Sequence, residues 1–166
     1  MDAARPLETS NRVTLANRLI TTPGTSKGGS SSLFGDPRPP INGGVEKREA
    51  QAQVTANFIA SILSEDPNAA VISAGDYNEF AFVGPMETFV DVSGLEDLDD
   101  VAGIPETERY TYVFAQNSQQ LDHMHVSPRL ARGEVGFEHV HVSSWVSYAD
   151  QVSDHDPSVA RLDVCQ

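Results

Sequence analysis

The chain has 166 residues, 39% of them apolar and 21% charged, with a net charge of −13. That is one domain's worth of length, enough to bury a core, and the composition excludes collagen, coiled coil and wholesale disorder. The charge is uneven, +2 over residues 1–50 and −15 over 51–166, which argues against a broad basic nucleic-acid surface but not against a cation-dependent enzyme acting on phosphates.

Residues 1–25 are polar and atypical, and read as poorly ordered; only Val13 to Ile20 suggests a strand or half a helix. Met1 to Ile20 shows no apolar stretch of a secretory signal, and no run approaches the roughly 20 apolar residues of a membrane span. Residues 23–44 are rich in Pro, Gly and Ser and read as a long loop. Val45 to Ser64 is predicted to be a helix, with Val54, Phe58 and Ile62 recurring on one stripe and Ile59 and Leu63 widening it. Asp66-Pro67 ends it, because the residue before proline avoids the α region. Ala69 to Gly75 is a short apolar run and reads as a buried central strand. Short helices are expected near Met86–Val90 and Leu95–Val101. Tyr110–Phe114 and Gln120–Ser127 are β-rich, and Ala115–Gln119 between them predicts a hairpin. Val135–Val142 and Ser158–Val164 read as strands, separated by a polar loop. The order implies an α+β fold. The lone cysteine, Cys165, cannot form an internal disulfide.

Four constellations can carry chemistry. Gly75-Asp76-Tyr77-Asn78-Glu79-Phe80 follows the buried strand, where open sheets place ligands. Asp76 could orient or deprotonate a water and Asn78 could donate to a developing negative charge; the same residues also make an ordinary turn. In Gln119 to Ser127, a strand puts Leu121, His123 and His125 on one face and Asp122, Met124 and Val126 on the other. A carboxylate at Asp122 would then need a partner if buried, or would face solvent at the strand edge. Ser153-Asp154-His155-Asp156-Pro157 pairs a histidine suited to proton transfer with a carboxylate suited to a cation, or is a polar turn. Finally, His123-x-His125 and His139-x-His141 could each offer two imidazoles to zinc or copper, or be half-buried strand histidines.

In this order the first three motifs resemble the endonuclease/exonuclease/phosphatase superfamily, whose members share the deoxyribonuclease-I-like fold. Further segments fit a secreted nuclease-like branch: Ser26-Lys27-Gly28-Gly29, Leu33-Phe34-Gly35-Asp36-Pro37, Gln51-Ala52-Gln53 and Glu108-Arg109-Tyr110-Thr111-Tyr112-Val113-Phe114. The resemblance runs from about Ser26 to Cys165. It implies a two-layer β-sandwich flanked by helices, of which this chain matches the C-terminal half, so that residues 26–166 form a partial domain. It implies that Asp76 orients or activates the attacking water and that Asn78 contacts the scissile phosphate. His155 is then the catalytic histidine, Asp122 the carboxylate that orients it, and Asp154 a ligand of the divalent metal. The reaction implied is hydrolysis of a phosphate ester, with nucleic acid among the candidate partners and Mg²⁺, or Mn²⁺ or Ca²⁺, as cofactor.

The chain also departs from the family. The first half of that fold supplies an Asn and a Glu to the metal, and residues 1–25 show no counterpart. A His usual shortly before Ser26 is replaced by Thr22-Pro23-Gly24, and the common Phe of Gly-Asp-Phe-Asn is Tyr77. A half sandwich is expected to bare an apolar sheet face to a missing half or a second copy. Two alternatives follow: a remnant without catalysis that binds a partner, and a histidine metal-binding module.

Overall fold

The computed structural model describes residues 12–16 (as backbone), 43–114 and 116–164. The glycine- and serine-rich segments quoted between Ser26 and Pro37, most of the long loop, and Cys165 lie outside the described residues. A four-stranded sheet runs in the order β1 (Arg12–Ala16), β2 (Ala70–Asp76), β6 (Asp122–Val126) and β3 (Glu96–Asp97). β1 lies parallel to β2, whereas β6 is antiparallel to both β2 and β3. The expected central strand is therefore central, and Arg12–Ala16 forms a strand within the N-terminal segment. A second, two-stranded antiparallel sheet joins β7 (Val135–His139) to β8 (Ser158–Leu162).

The sheet has two buried faces. Alternation sends Ala69 and Val71 to one side, where they pack with Ala52, Ala56 and Ile59 of helix α1 (Val45–Glu65) and Met86 and Phe89 of α2 (Gly84–Ser93). It sends Ala70 and Val126 to the other side, against Phe137 of β7, Leu130 of α4 (Pro128–Ala131) and Leu98 of α3 (Leu98–Ala102). Ala160 and Leu162 of β8 complete that layer. The face expected to be bare thus has β7 and β8 packed on it.

Two sequence expectations change. Helix α1 forms where predicted, but Val54 and Phe58 are 70% and 53% exposed, and the buried face is Ala52, Ala56 and Ile59. Small alanines let α1 and α2 approach closely, and a stripe weighted by side-chain size misses that contact. The hairpin is also shorter than expected. β4 (Tyr112–Phe114) pairs with β5 (Asn117–Gln119), turning at Gln116 in the left-handed region, φ 66°. Residues 122–126 instead join the main sheet as β6, because their alternating residues have a core on each side.

Candidate active site

Asp76 ends β2 and Asp122 begins β6, and the two are directly opposite in the antiparallel register. Both lie on the face that looks toward β7 and β8. Like charges in such a pair repel. His155 relieves part of this: its Nδ1–H donates to Asp122 Oδ2 at 2.5 Å. That bond fixes the imidazole tautomer and leaves Nε2 as the acceptor when the ring is neutral. Hydrogen bonding to Asp122, opposed by burial and assisted by the charges of Asp122, Asp76 and Asp154, pushes the His155 pKa up.

Asn78 completes the turn after β2. Its φ is 53°, a left-handed conformation that Asn tolerates better than most residues. Its backbone N–H donates to Asp76 Oδ1 at 2.8 Å and its Nδ2 to Oδ2 at 2.9 Å, so both carboxylate oxygens are oriented. Tyr77, in place of Phe, is 2% exposed, and its hydroxyl reaches the Ser73 hydroxyl at 2.6 Å. Burial pushes that phenol well up. The turn is held from behind by Arg48 of α1, whose Nε donates to Glu79 Oε1 at 2.6 Å. His123 Nε2–H adds a hydrogen bond to the Glu79 carbonyl at 2.8 Å.

Thr111 is the residue that sequence spacing did not single out. It is fully buried, its hydroxyl accepts from the backbone N–H groups of Leu121 and Asp122 at 3.3 and 3.1 Å, and its carbonyl accepts from Asp156 N at 2.7 Å. One residue therefore ties the start of β6, through its hydroxyl, to the loop that carries His155, through its carbonyl. Asp156 anchors the other end of that loop, accepting from the backbone N–H groups of Ser143 and Ser144 at 2.6 and 3.1 Å. Burial opposes its charge, but these hydrogen bonds and His141 outweigh it and hold its pKa low. Tyr112 tilts its ring over His155, centroid to centroid 4.9 Å. The signal for Thr111 in the sequence is its place inside the segment Glu108 to Phe114 that fits the family resemblance.

Asp76, Asn78, Asp122 and His155 are thus brought together. Asp154 is exposed and stands beside the cluster, near enough to act on His155 and Tyr112 through its charge. Among the described residues, the group of His, Asp and Glu able to hold a metal ion is Asp76, Asp122 and His155, whose ligand atoms lie within 4.8 Å of one another. Two hard carboxylate oxygens at a half-buried, net-negative point fit a divalent cation of the Mg²⁺ kind, which binds through one or two carboxylates plus substrate oxygens.

The other histidines do not converge. His123 and His125 face the helices, edge-on to Tyr77. His139 is buried between Asp99 (Nε2 to Oδ1, 2.9 Å) and Ser158 (Nδ1 to Oγ, 2.7 Å). His141 stacks on Tyr110 at 3.9 Å. His123 and His125 share the helix-facing layer while His139 and His141 lie in two other places, and none of the four enters the metal-capable group found among the described residues.

No family model matches the chain, and no curated protein does. Solved structures do. A truncated TDP2 from Caenorhabditis elegans superposes with a TM-score of 0.54 at 20% identity, covering 70% of this chain and 48% of that one. A 3′-5′ exonuclease, NExo, from Neisseria meningitidis gives 0.55 at 19% identity, covering 72% and 54%. An endonuclease/exonuclease/phosphatase family protein from Bacteroides thetaiotaomicron gives 0.50 at 20%, covering 69% and 45%. The chain spans about half the length of these structures. What it carries is the α+β, deoxyribonuclease-I-like fold of the endonuclease/exonuclease/phosphatase proteins, over about half of their length.

Proposed function

We propose that this chain is a divalent-cation-dependent hydrolase of phosphate esters, of nuclease or phosphodiesterase type. The observation that carries the reading is the direct opposition of Asp76 and Asp122 on neighbouring strands, with His155 hydrogen-bonded to Asp122. Two facing carboxylates are costly alone and favourable with a cation and a phosphate between them.

The residues divide the work. Asp76, oriented by Asn78, aligns a water and accepts its proton as the water attacks phosphorus in line. The remaining Nδ2–H of Asn78 donates to a phosphoryl oxygen as charge develops there. His155 contacts the same phosphate, and Asp122 keeps its ring in one tautomer and raises its basicity, the supporting role of a triad acid. Asp76 and Asp122, with Asp154 as a further ligand, would hold the cation. When bound, the cation offsets the charge on the phosphoryl oxygens. The Neisseria neighbour, an exonuclease by name, supports nucleic acid as one substrate class.

The test is cleavage of supercoiled plasmid by the purified chain with Mg²⁺, beside EDTA and His155→Ala. Activity lost in both controls supports the proposal. A folded chain that cleaves neither plasmid nor simple phosphate esters favours the other reading, a binding module without catalysis.

A further inference from the structure

A cavity of about 390 Å³ has walls that include Phe80, Phe82, Arg109, Tyr110, Ser118 and Gln120, from the segments that flank the acidic cluster in the chain. Its walls continue the catalytic segments. Phe80 is two residues after Asn78, Tyr110 adjoins Thr111, and Gln120 is two residues before Asp122. The N–H of Tyr77 donates to the Leu121 carbonyl at 2.9 Å, which ties these two segments together at the same end of the sheet.

The chemistry of the cavity differs from that of the cluster. Phe80 and Phe82 stack in parallel, 5.4 Å between centroids and 3° between planes, and Phe82 is 75% exposed. A phenyl ring held flat by its neighbour, with so much of its surface open, is a platform for another planar ring. The lining cation, Arg109, is engaged by Asp100 at 2.7 Å and by the Ile104 carbonyl at 2.8 Å. Phe80, Ala81 and Phe82 make one apolar wall, and Glu106, Thr107, Ser118 and Gln120 bring polar groups to the rest, so an apolar platform faces hydrogen-bonding groups. The volume suits a group of nucleoside size.

We propose that this cavity binds the base of a nucleotide-containing phosphate ester, stacked on Phe82, while the phosphate lies at Asp76, Asp122 and His155. The proposal deepens the phosphoesterase reading and rests on it for the position of the phosphate. The site itself can be tested without catalysis.

Two measurements on the full chain separate the two ideas. In the first, adenosine, which carries no phosphate, is titrated by saturation-transfer NMR into wild type, Phe82→Ala, Phe82→Tyr and Phe58→Ala. Phe58 is an exposed phenylalanine of α1, away from the cavity. Binding should weaken about tenfold in Phe82→Ala, the scale of one base–aromatic stack, and be retained in Phe82→Tyr and Phe58→Ala. In the second, hydrolysis of a thymidine dinucleotide is compared with that of its base-free analogue. Wild type should prefer the base-bearing substrate about tenfold, and Phe82→Ala should lose that preference. No adenosine binding to wild type, or equal binding to wild type and Phe82→Ala, overturns the base subsite. Hydrolysis of both dinucleotides at equal rates overturns it as well. Adenosine binding lost only in Phe82→Ala, with neither dinucleotide hydrolysed, upholds the subsite and sinks the phosphoesterase reading instead.

Discussion

Strand β6 presents two faces that differ by one residue step. Asp122 points to the second sheet, stays partly exposed and keeps company with Asp76 and His155. His123 and His125 point to the helices and are 3% and 1% exposed. The wet face concentrates charge, while on the dry one the carboxylate of Asp97, at the sheet edge, stands 3.9 Å from His125 Nε2. Burial lowers the pKa of both buried imidazoles, that of His125 to about 3, and neither ring nitrogen of His125 has a hydrogen-bond partner. The same residue type therefore has opposite roles across the sheet. His155 is held toward its charged form by an acid partner, and His125 is kept neutral as a polar filler among aromatic edges. Chemistry is to be sought where solvent still reaches the ionisable group.

The sharpest way to break this comparison is to remove the wet face. Asp76→Asn or His155→Ala should each lower phosphate-ester hydrolysis by about 10²–10⁴-fold with an unchanged circular dichroism spectrum. An unaltered rate would move the chemistry elsewhere. Asp122→Asn should reduce the rate less, and should displace a pH limb. Asp122 raises the His155 pKa, so its loss lowers that pKa, and the limb governed by His155 in a pH–rate profile moves to more acidic pH. A limb that stays in place would show that His155 does not govern it. The same raised pKa stabilises the fold below the unfolded histidine value near 6.5, and this contribution fades as pH climbs through the raised value.

Smaller effects test the scaffolding of each face. Thr111→Val strips the acceptor from the Leu121 and Asp122 amides and should destabilise the fold by about 1–3 kcal/mol in urea titration. It should also reduce activity, since it frees the Asp122 backbone from Thr111, whose carbonyl holds the His155 loop. A variant as stable as wild type would deny Thr111 that role. The smallest change belongs to the dry face. His125→Leu removes two unpartnered nitrogens and should leave stability at pH 7 equal or improved by up to about 1 kcal/mol. The histidine's folded pKa lies below its unfolded one, so wild type loses stability as pH falls from about 6.5 toward 3. His125→Leu should flatten that loss, and a variant losing stability as steeply as wild type would refute the account.

Much of this could be read from the chain before folding, for particular reasons. Strand β2 and helix α1 announce themselves through an apolar run and a long periodic segment. Asp76, Asn78, Asp122 and His155 lie in three short motifs whose order carries the resemblance. What was not legible depends on tertiary partners. Ala52 and Ala56 face α2 while the larger Val54 and Phe58 face solvent, and no single-helix pattern distinguishes the two. That β5 forms inside the expected turn while residues 122–126 pair with β2 follows from the place open beside β2, which local propensity cannot see. Thr111 lies in the segment Glu108 to Phe114 that fits the resemblance, but nothing there marks it out from its neighbours. Its importance lies in three hydrogen bonds that converge only in the folded chain.

The pairing of β2 with β6 is also a register lock. Sliding β6 by one residue would turn Asp122 inward among Tyr77 and Phe89 and swing His123 out toward Asp76. An unpaired carboxylate in that apolar layer is among the costliest errors a sheet can make. The placing of Asp122 on one face and of His123 and His125 on the other thus penalises a one-residue mispairing on both sides of the sheet at once. The register that assembles the acidic cluster is also one that keeps the Asp122 carboxylate out of the helix-facing layer, so correct pairing and an assembled site favour one another.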